Sequence, residues 1–344
     1  MTPDKRPRTM AVMSPPGLFD QLFSPEARAK LHATAKHADM VFEDFQSPGA
    51  QTILAGTEVL ITGWGCPPLT QETLGRAPNL KAIIHAGGVI SDKMPPLPRG
   101  RDIKASNAGE VNGMPVAEYT VAMILLANKQ AFSALKLYRE QRRFIDRERE
   151  FPAAGNYRKV IGLIGASRIG RMTAKLLQPF EFDVLLYDPY LTPEEADGMG
   201  VKLTSLDELM SASDVVSIHV PVTPETTGMI GASELATMRP GATLINTARG
   251  EILDQHALEA ELVSGRIHAI LDVAVPDVLP PEHILYELPN VVLTPHIAGS
   301  MGTELQRMGD HVVAELERYA AGLPFTHPEH LATEPTGGYL EPIA

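Results

Sequence analysis

Short apolar runs alternate with longer helix-forming stretches along most of the chain. Residues 59–62, 81–85 and 160–164 are short and mainly apolar, which favours buried strands. Helix signals lie between such runs, for example Ser24 before Pro25 and Ser205 before an acidic first turn. Strands that alternate with helices are typical of parallel sheets covered by helices. The pattern therefore predicts an α/β protein.

The spacing of these runs predicts a smaller and a larger sheet. The smaller sheet is predicted from strands at residues 9–13, 59–62 and 81–85, with a helix at 24–38 and a loop at 91–102. A long helix is expected to begin at Pro115. After it, six strands with helical crossovers predict a doubly wound parallel sheet, at residues 160–164, 184–187, 215–220, 242–246, 268–273 and 291–294.

Two segments are predicted beyond the last strand. Residues 302–321 form one amphipathic pattern that is stopped by Gly322 and Pro324, and they predict a helix. The tail from residue 326 onward is rich in proline and is expected to lie on the surface. His327 and His330 fall in this tail without further ligand residues nearby, so no metal site is predicted.

The most distinctive stretch runs from residue 160 to residue 188. A predicted strand is followed by Gly165, by a helical run that contains Gly170, and by a second strand that ends at Asp188. This order is typical of a dinucleotide-binding turn, in which one glycine permits the turn and another permits close helix packing. The helix N-terminus would offer N–H groups to a pyrophosphate, and Asp188 would accept hydrogen bonds from ribose hydroxyls.

Ser167 and Asp188 leave an alternative open in this stretch. Ser167 stands where the middle glycine of G-x-G-x-x-G is expected, although its hydroxyl could donate to a phosphate oxygen. An ordinary turn between strand and helix also contains glycines, and Asp188 precedes a proline and is suited to begin a turn. Residues 189–191 contain no Arg or Lys to hold a 2′-phosphate, which favours NAD over NADP.

Polar side chains follow three later strands of the predicted sheet. Arg249 follows one strand, Asp272 and Asp277 follow the next, and His296 follows the last. Ligands of such sheets lie beyond the carboxyl ends of the strands. Arginine binds a carboxylate with two parallel hydrogen bonds, histidine transfers a proton near neutral pH, and a paired acid orients the imidazole. The set predicts hydride-transfer chemistry on a 2-hydroxy acid.

Each of these residues, taken alone, also has a purely structural interpretation. Arg249 would serve equally in a structural ion pair, and a single histidine such as His296 is more often a packed residue than a catalytic one. The presence of Arg249, Asp277 and His296 at neighbouring strand ends favours catalysis.

The composition and charge of the chain exclude several classes of protein and partner. The chain has 344 residues, 44% hydrophobic and 21% charged, as expected for a globular protein with two cores. The net charge of −12 argues against nucleic acid or an anionic membrane as a partner. The single cysteine, Cys66, cannot form an internal disulfide framework, and the N-terminus lacks the apolar run of a signal peptide. We expect a cytoplasmic protein.

Six motifs in sequence order make the chain resemble the NAD-dependent D-isomer-specific 2-hydroxyacid dehydrogenases. The motifs are GLIGASRIGR, LLYD, SIHVPVTPETTGMI, INTARGEILD, AILDV and LPNVVLTPHIAGS, and the resemblance covers residues 59–324. It implies a Rossmann nucleotide domain, at residues 118–297, inserted into a smaller discontinuous flavodoxin-like α/β substrate domain, at residues 1–117 and 298–344. It also implies a homodimer. The charged run at residues 136–150 is either a solvated helix face or an arm that crosses to the second subunit.

The resemblance also assigns roles residue by residue. It makes Arg249 the substrate-carboxylate arginine, His296 the acid–base histidine and Asp277 its acidic partner. Gly87 and Gly88 match the loop whose N–H groups bind the substrate carboxylate. The implied cofactor-binding residues are Gly165, Ser167, Arg168, Ile169, Gly170, Asp188, Pro221, Thr247, Ala248, Asp272 and Gly299, with Asp272 at the nicotinamide carboxamide.

Asp277 departs from the family pattern, which has glutamate at this position. Aspartate is one methylene shorter, so either residues 274–276 move inward or the bond between acid and histidine is longer. A glutamine here would have indicated a formate-type enzyme, and the aspartate argues against that branch. The expected function is interconversion of a D-2-hydroxy acid and its 2-oxo acid. The alternative is a NAD(H)-sensing, co-repressor-like regulatory protein on the same scaffold.

Overall fold

The computed structural model describes residues 5–333 and divides the chain into two compact units. Unit 1 comprises Met1–Asn112 and Met301–Ala344, and unit 2 comprises Gly113–Ser300. In chain order, the strands are β1 (Arg8–Val12), β2 (Lys36–Phe42), β3 (Val59–Gly63), β4 (Ala82–Ala86), β5 (Lys104–Asn107), β6 (Val160–Ile164), β7 (Asp183–Tyr187), β8 (Lys202–Leu203), β9 (Val215–Ile218), β10 (Thr243–Asn246), β11 (His268–Leu271), β12 (Val291–Leu293) and β13 (Pro328–Glu329).

Helices connect most of the strands. They are α1 (Leu18–Leu22), α2 (Pro25–Thr34), α3 (Pro48–Leu54), α4 (Gln71–Arg76), α5 (Gly109–Asn128), α6 (Ala131–Gln141), α7 (Arg147–Glu150), α8 (Arg168–Leu177), α9 (Pro193–Gly198), α10 (Leu206–Ala212), α11 (Ala232–Thr237), α12 (Gln255–Val263) and α13 (Leu305–Ala320). Short 3-10 turns lie at Ser91–Lys93, Gly250–Ile252, Ile284–Tyr286 and Gly302–Glu304. Between residues 5 and 333, none of the helices combines the length and the apolar character that a membrane span requires.

Each unit is built on its own sheet, and the predicted α/β class is confirmed. The sheet of unit 1 has the order β13-β5-β4-β3-β1-β2 and is parallel except for β13, which pairs antiparallel with β5. The sheet of unit 2 has the order β12-β11-β10-β9-β6-β7-β8 and is parallel throughout. The connection from β8 to β9 returns across the sheet, so the order reverses between β6 and β9. Ligands in such sheets bind at this reversal, beyond the carboxyl ends of the strands.

Both sheets are buried on both faces, which explains why their strands are apolar runs. In β3, Val59 and Ile61 pack into one cluster and Leu60 into the other, and all three are fully buried. In unit 2, Leu163 and Ile164 point to opposite clusters in the same way. Strands covered by helices on both sides lose the alternation of apolar and polar residues that marks a half-exposed strand.

The structure corrects the sequence prediction at the second strand, β2. The helix expected at residues 24–38 ends at Thr34, because Ala35 is extended and Lys36–Phe42 then pairs with β1. Its sequence, KHADMVF, mixes polar and apolar residues because β2 is an edge strand that leaves Met40 and Val41 exposed.

The long helix α5 begins earlier than expected. The side-chain oxygen of Asn107 accepts a hydrogen bond from the N–H of Gly109 at 2.9 Å, and the helix starts there. Pro115 lies inside the helix instead of at its start. A proline inside a helix removes one hydrogen bond and crowds the carbonyl one turn earlier, yet this helix continues through it to Asn128.

The tail also differs from the expectation of a segment that lies only on the surface. Pro328 and Glu329 form β13 at the edge of the sheet of unit 1, and Leu97 donates its N–H to the carbonyl of Ala332 at 2.7 Å. A two-residue strand that begins with proline has no sequence signal. The remainder of the tail, residues 334–344, lies outside the described residues, as does the extreme N-terminus considered for a signal peptide.

Candidate active site

The turn after β6 has the geometry of a nucleotide-binding turn. Gly165 adopts φ +101, a conformation that favours glycine. A Cβ atom on Gly170 would lie 2.1 Å from the carbonyl oxygen of Gly165, so only glycine lets α8 approach the strand this closely. Both glycines are therefore required by the backbone of the turn, whatever binds there.

Ser167 is the N-cap of α8. Its Oγ accepts a hydrogen bond from the N–H of Gly170 at 3.3 Å, so the hydroxyl hydrogen is left to donate elsewhere. Arg168 and Ile169 form the first turn of α8, where N–H groups have no acceptor within the helix. The sequence did not predict this capping role, although a serine directly before a helical run is a recognised signal for it.

Asp188 stabilises the backbone of two turns, the one after β6 and the one after β7. Its Oδ2 accepts a hydrogen bond from the N–H of Ala166 at 2.7 Å, and its Oδ1 accepts one from Tyr190 at 2.9 Å. The turn-forming role considered as an alternative is thus present in the structure. Each carboxylate oxygen can accept a second hydrogen bond, so the contacts leave acceptor capacity for a ribose hydroxyl.

His219 lies beside the glycine turn. A Cβ on Gly170 would be 3.3 Å from the Cβ of His219, which is almost fully buried. Burial lowers the pKa of His219 to about 4, so its imidazole is neutral near pH 7. Its Nε2 has no hydrogen-bond partner in the described part of the chain. A buried polar atom without a partner fits a site that a bound group completes.

Asn246 shapes the turn that carries Arg249. This buried residue accepts a hydrogen bond from the N–H of Ala248 at 3.0 Å and donates one to the carbonyl of Arg249 at 2.8 Å. The side chain of Arg249 is exposed beyond the end of β10, and its Nη1 donates to the carbonyl of Ala248 at 2.6 Å. Within residues 5–333, the other N–H groups of the guanidinium make no hydrogen bond, so they can bind a ligand.

Gly250 brings the loop after β10 against the loop after β11. A Cβ at this position would lie 2.5 Å from the carbonyl carbon of Ala274. Only a residue without a side chain permits this approach. The two loops that carry Arg249 and Asp277 are therefore packed against each other.

Asp272 is the buried anchor of the loop that carries His296. Its carboxylate accepts hydrogen bonds from the N–H groups of Ile297 and Ala298, both at 2.8 Å, and from the hydroxyl of Thr294 at 2.6 Å. Its carbonyl oxygen also accepts the N–H of His296 at 3.1 Å. The structure thus gives Asp272 a positioning role that the sequence did not predict.

Tyr119 extends this network to α5. Its hydroxyl lies 3.0 Å from Oγ1 of Thr294, and Thr294 donates its own hydrogen to Asp272, so Tyr119 is the donor. Burial raises the pKa of Tyr119, the bond to Thr294 opposes this, and the charge of Asp272 adds to it. A tyrosine 175 positions before its partner gave no sequence signal.

His296 and Asp277 meet at the limit of hydrogen-bond distance. Nδ1 of His296 lies 3.4 Å from each carboxylate oxygen of Asp277, and half or more of each side chain is exposed. This separation is longer than that of an ordinary hydrogen bond to a histidine nitrogen. Nε2 is therefore the nitrogen of His296 that does not face the acid.

The other predicted cofactor residues of unit 2 also lie at strand ends. Oγ1 of Thr247 is buried 3.1 Å from Oγ1 of Thr120. Pro221 is exposed after β9, and its carbonyl oxygen accepts a hydrogen bond from Thr226. Gly299 is half-buried and follows the loop held by Asp272.

In unit 1, Gly87 and Gly88 follow β4. A Cβ on Gly87 would lie 2.6 Å from Nε2 of His85, whereas the space around Gly88 is open. His85 is buried with Nδ1 2.8 Å from Oγ1 of Thr62. Burial, and next the charge of Lys93, lower the pKa of His85 to about 4, against the opposing effect of Glu329.

Comparison with known proteins agrees with this geometry. The family model described as D-isomer specific 2-hydroxyacid dehydrogenase, NAD binding domain, matches residues 121–298. The glyoxylate reductase of Thermofilum pendens is 38% identical over 243 residues, which cover 70% of this chain and 71% of that protein. The D-3-phosphoglycerate dehydrogenase of Mycobacterium tuberculosis is 33% identical over 252 residues, 73% of this chain but 47% of the relative. The chain therefore spans about half the length of the phosphoglycerate dehydrogenases it matches.

Solved structures share the fold over nearly the whole chain. A phosphoglycerate oxidoreductase from Rhizobium etli has a TM-score of 0.81 at 27% identity and covers 96% of this chain and 100% of that one. An NAD-dependent formate dehydrogenase from Staphylococcus aureus, in complex with NAD, has a TM-score of 0.66 at 27% identity, with 95% and 100% covered. Fold, strand-end residues and sequence similarity agree, and the chain belongs to the D-isomer-specific 2-hydroxyacid dehydrogenase family.

Proposed function

We propose that this protein is an NAD-linked oxidoreductase that interconverts a small 2-oxo acid and its D-2-hydroxy acid. The observation that carries the proposal is the grouping of Arg249, Asp277 and His296 at the carboxyl ends of the adjacent strands β10, β11 and β12. Carboxylate binding, proton transfer and imidazole orientation are the three tasks that such a reaction requires of the protein.

The residues around the glycine turn fit a dinucleotide. The first turn of α8 would hold the pyrophosphate, and Asp188 has acceptor capacity left for a ribose hydroxyl. The carboxylate of Asp188 would repel a 2′-phosphate, so NAD is proposed as the cofactor in preference to NADP. When bound, NADH supplies the hydride, which the side chains of the protein cannot do.

The three strand-end residues would then have separate roles in the reaction. Arg249 would bind the substrate carboxylate through its planar fork and polarise the neighbouring carbonyl. His296 would donate a proton from Nε2 to the carbonyl oxygen during reduction and take it back during oxidation, while Asp277 holds Nδ1. In unit 1, the N–H groups of Gly87 and Gly88 would provide the second carboxylate-binding element.

The charges of unit 1 favour a substrate without a phosphate group. The guanidinium of Arg101 is occupied by the carbonyls at the end of α4, with Nη2 2.8 Å from the oxygen of Ala77, and His85 is neutral near pH 7. The carboxylate of Glu329 lies next to the loop after β4. Lys93 also acts on this loop, but Glu329 offsets its charge and the guanidinium of Arg101 is occupied, so the loop lacks the excess of positive charge that a phosphate needs. The similarity to a glyoxylate reductase supports a small 2-oxo acid in the same way.

The test is NADH oxidation with glyoxylate, hydroxypyruvate, pyruvate, a bulkier 2-oxo acid and 3-phosphohydroxypyruvate. We expect turnover on one of the small unphosphorylated acids, a loss of at least about 100-fold in kcat for His296→Gln, and a large rise in KM for Arg249→Gln. A preference for the phosphorylated acid would overturn the substrate class. NADH binding without turnover of any acid would overturn the enzyme assignment and favour the NAD(H)-sensing alternative.

A further inference from the structure

Glu329 connects the C-terminal segment of unit 1 to the loop that follows β4. Its Oε1 accepts hydrogen bonds from the N–H of Ser91 at 2.7 Å and of Ile90 at 3.0 Å. Its Oε2 accepts one from Nδ2 of Asn107 at 2.7 Å. A single carboxylate from β13 is thus bonded to the backbone of the loop and to the end of β5.

The charge of this carboxylate is maintained by its surroundings. Burial raises the pKa of Glu329, but hydrogen bonds from the backbone of Ser91, the side chains of Asn107 and Ser91, and the backbone of Ile90 outweigh it and lower the pKa overall. The group is therefore ionised at neutral pH. Hydrogen bonds to a charged acceptor are stronger than those between neutral groups.

The bonded N–H groups continue the loop that begins with Gly87 and Gly88. Gly87 and Gly88 bring no side chains to this loop, and the space around Gly88 is open. The loop is therefore held at its two ends, by β4 on one side and by the buried side chain of Ile90 together with Glu329 on the other. Without the carboxylate, the N–H groups of Ile90 and Ser91 would lose the acceptor that fixes the backbone at this end.

We propose that Glu329 is a positioning residue for substrate binding. It holds the loop from Gly87 to Ser91 in the shape in which the N–H groups of the two glycines bind the substrate carboxylate. The inference rests on the proposed function and names a residue of unit 1 that sets affinity for the 2-oxo acid without touching the cofactor.

The segment that carries Glu329 has other attachments that would survive its substitution. The carboxylate of Glu315 accepts the N–H of Thr326 at 3.0 Å, and His327 pairs with Glu110 at 3.0 Å. A variant at 329 should therefore keep β13 in place and change the loop selectively. His327→Gln is the matched control, because it breaks a neighbouring attachment without touching the loop.

The donor and the acceptor of the hydrogen bond between Asn107 and Glu329 can be exchanged by a pair of substitutions. Glu329→Gln places an amide against the amide of Asn107, whose oxygen is already the acceptor for Gly109. Asn107→Asp places two carboxylates together. The double variant restores one donor and one acceptor, keeps the acceptor for Gly109, and leaves the total charge unchanged.

The experiment measures KM and kcat for the best 2-oxo acid, the Kd of NADH, and backbone hydrogen exchange at residues 88–91. We expect a rise in KM of about ten-fold for each single variant, recovery to within about three-fold in the double variant, and kcat and the NADH Kd within about three-fold throughout. Exchange at residues 90 and 91 should be faster in each single variant and slower again in the double variant. His327→Gln should change neither KM nor exchange at these residues.

Three outcomes would overturn the inference. One is a KM within two-fold of the wild type in both single variants. Another is a parallel fall of kcat, NADH affinity and Tm, which would indicate a purely structural role. The third is a double variant no better than the singles. If the wild type turns over no acid, the proposed function fails, and unchanged hydrogen exchange would then show separately that Glu329 does not hold the loop.

Discussion

His296 has φ +54, a left-handed conformation that is unfavourable for a residue with a side chain. The bonds that keep it there come from Asp272, whose carboxylate and carbonyl receive the N–H groups of residues 296–298. Asp272 is buried, so each of these bonds is protected from water. At the scale of single residues, the position of the proposed acid–base group is therefore set by a carboxylate that need not touch the substrate.

Asp272→Asn should test this dependence. The amide keeps one acceptor oxygen but replaces the other by a donor, which would face an N–H group or the hydroxyl of Thr294. We expect a fall of more than ten-fold in kcat and a loss of about 2 kcal/mol in the free energy of unfolding. Kinetics and chemical denaturation measure the two effects. Asp277→Asn is the control: its acid is exposed, so it should lower kcat without a comparable loss of stability.

Asp277→Glu should strengthen the weak contact with His296. The added methylene extends the carboxylate toward Nδ1, which now lies 3.4 Å away. A shorter bond favours the protonated imidazole, so reduction of the 2-oxo acid should persist to higher pH than in the wild type. The measurement is the pH–rate profile of kcat/KM. Identical profiles for the two proteins would mean that the acid at 277 does not influence the proton transfer.

Among the elements, two helix starts were predictable from their capping residues. Ser24 and Ser205 cap α2 and α10 as their sequence positions indicated. The fully buried strands were predictable as apolar runs. β2, β5, β8 and β13 were not, because strands of mixed polarity or of only two residues carry no periodic apolar signal.

The cap of α8 makes a prediction for Ser167. Ser167→Ala removes the acceptor for Gly170 and should cost about 1 kcal/mol of unfolding free energy, whereas Ser167→Gly should cost only a few tenths. NADH affinity should follow the same order if the cap acts by ordering the first turn of the helix. Thermal unfolding and NADH titration check both. Equal loss of NADH affinity in the two variants, with stability preserved in one, would instead indicate that the hydroxyl itself contacts phosphate.

No residue of α6 is buried, and several of its exposed residues are large and apolar. Leu135 is 50% exposed and Tyr138 62%, and Phe144 just beyond the helix is 88% exposed. A groove of about 380 Å³ beside it is lined in part by Leu137, Phe151 and Pro289. Exposed apolar patches of this kind mark interaction surfaces. The arm that crosses to a second subunit stays a prediction, and these exposed apolar residues support it.

We expect a dimer that Tyr138→Glu weakens. A charge in the centre of an apolar contact is desolvated without a partner, so dissociation should become at least about ten-fold easier. Light scattering after size exclusion, over a range of protein concentrations, measures this. Val263→Glu, at another exposed apolar position of unit 2, is the control. A wild type that is monomeric at all concentrations would refute the expectation.

At the scale of the whole chain, each unit contains a buried histidine with a strongly lowered pKa. His85 in unit 1 and His219 in unit 2 both fall from 6.5 to about 4 because of burial. The unfolded chain therefore binds more protons than the folded one between these values. The contribution of the two neutral histidines to the free energy of unfolding is fully present above about pH 6.5. It is lost as the pH falls toward 4, by up to about 3 kcal/mol for each histidine.

Urea unfolding between pH 7 and pH 4.5 tests this dependence. His85→Asn and His219→Asn should each reduce the slope of unfolding free energy against pH, even where they lower stability at pH 7. Leu323→Ala, at an exposed position without a titratable group, should leave the slope unchanged. Slopes that are the same in all three variants would assign the acid sensitivity to other groups.

The candidate site could be inferred from the sequence because its residues follow strands that are recognisable one by one. Arg249, Asp277 and His296 each follow a short apolar run, and parallel topology brings the ends of such runs to one edge. The supporting contacts were not predictable. Tyr119 bonds a residue 175 positions away and Glu329 one 239 positions away, and such pairs leave no local pattern.

The division of the chain has a consequence for synthesis on the ribosome. Unit 2 is one continuous stretch, whereas the core of unit 1 includes Met308, Val312 and Leu316 of α13, and its sheet includes β13. During translation, unit 2 can fold while unit 1 still lacks a helix from its core. The loop after β4 acquires the carboxylate of Glu329 only after some 240 further residues have been added. A ribosome stalled when unit 2 has left the exit tunnel but α13 has not would therefore display a folded nucleotide-binding unit together with an incomplete unit 1 that exposes apolar surface, which is a substrate for chaperones and proteases.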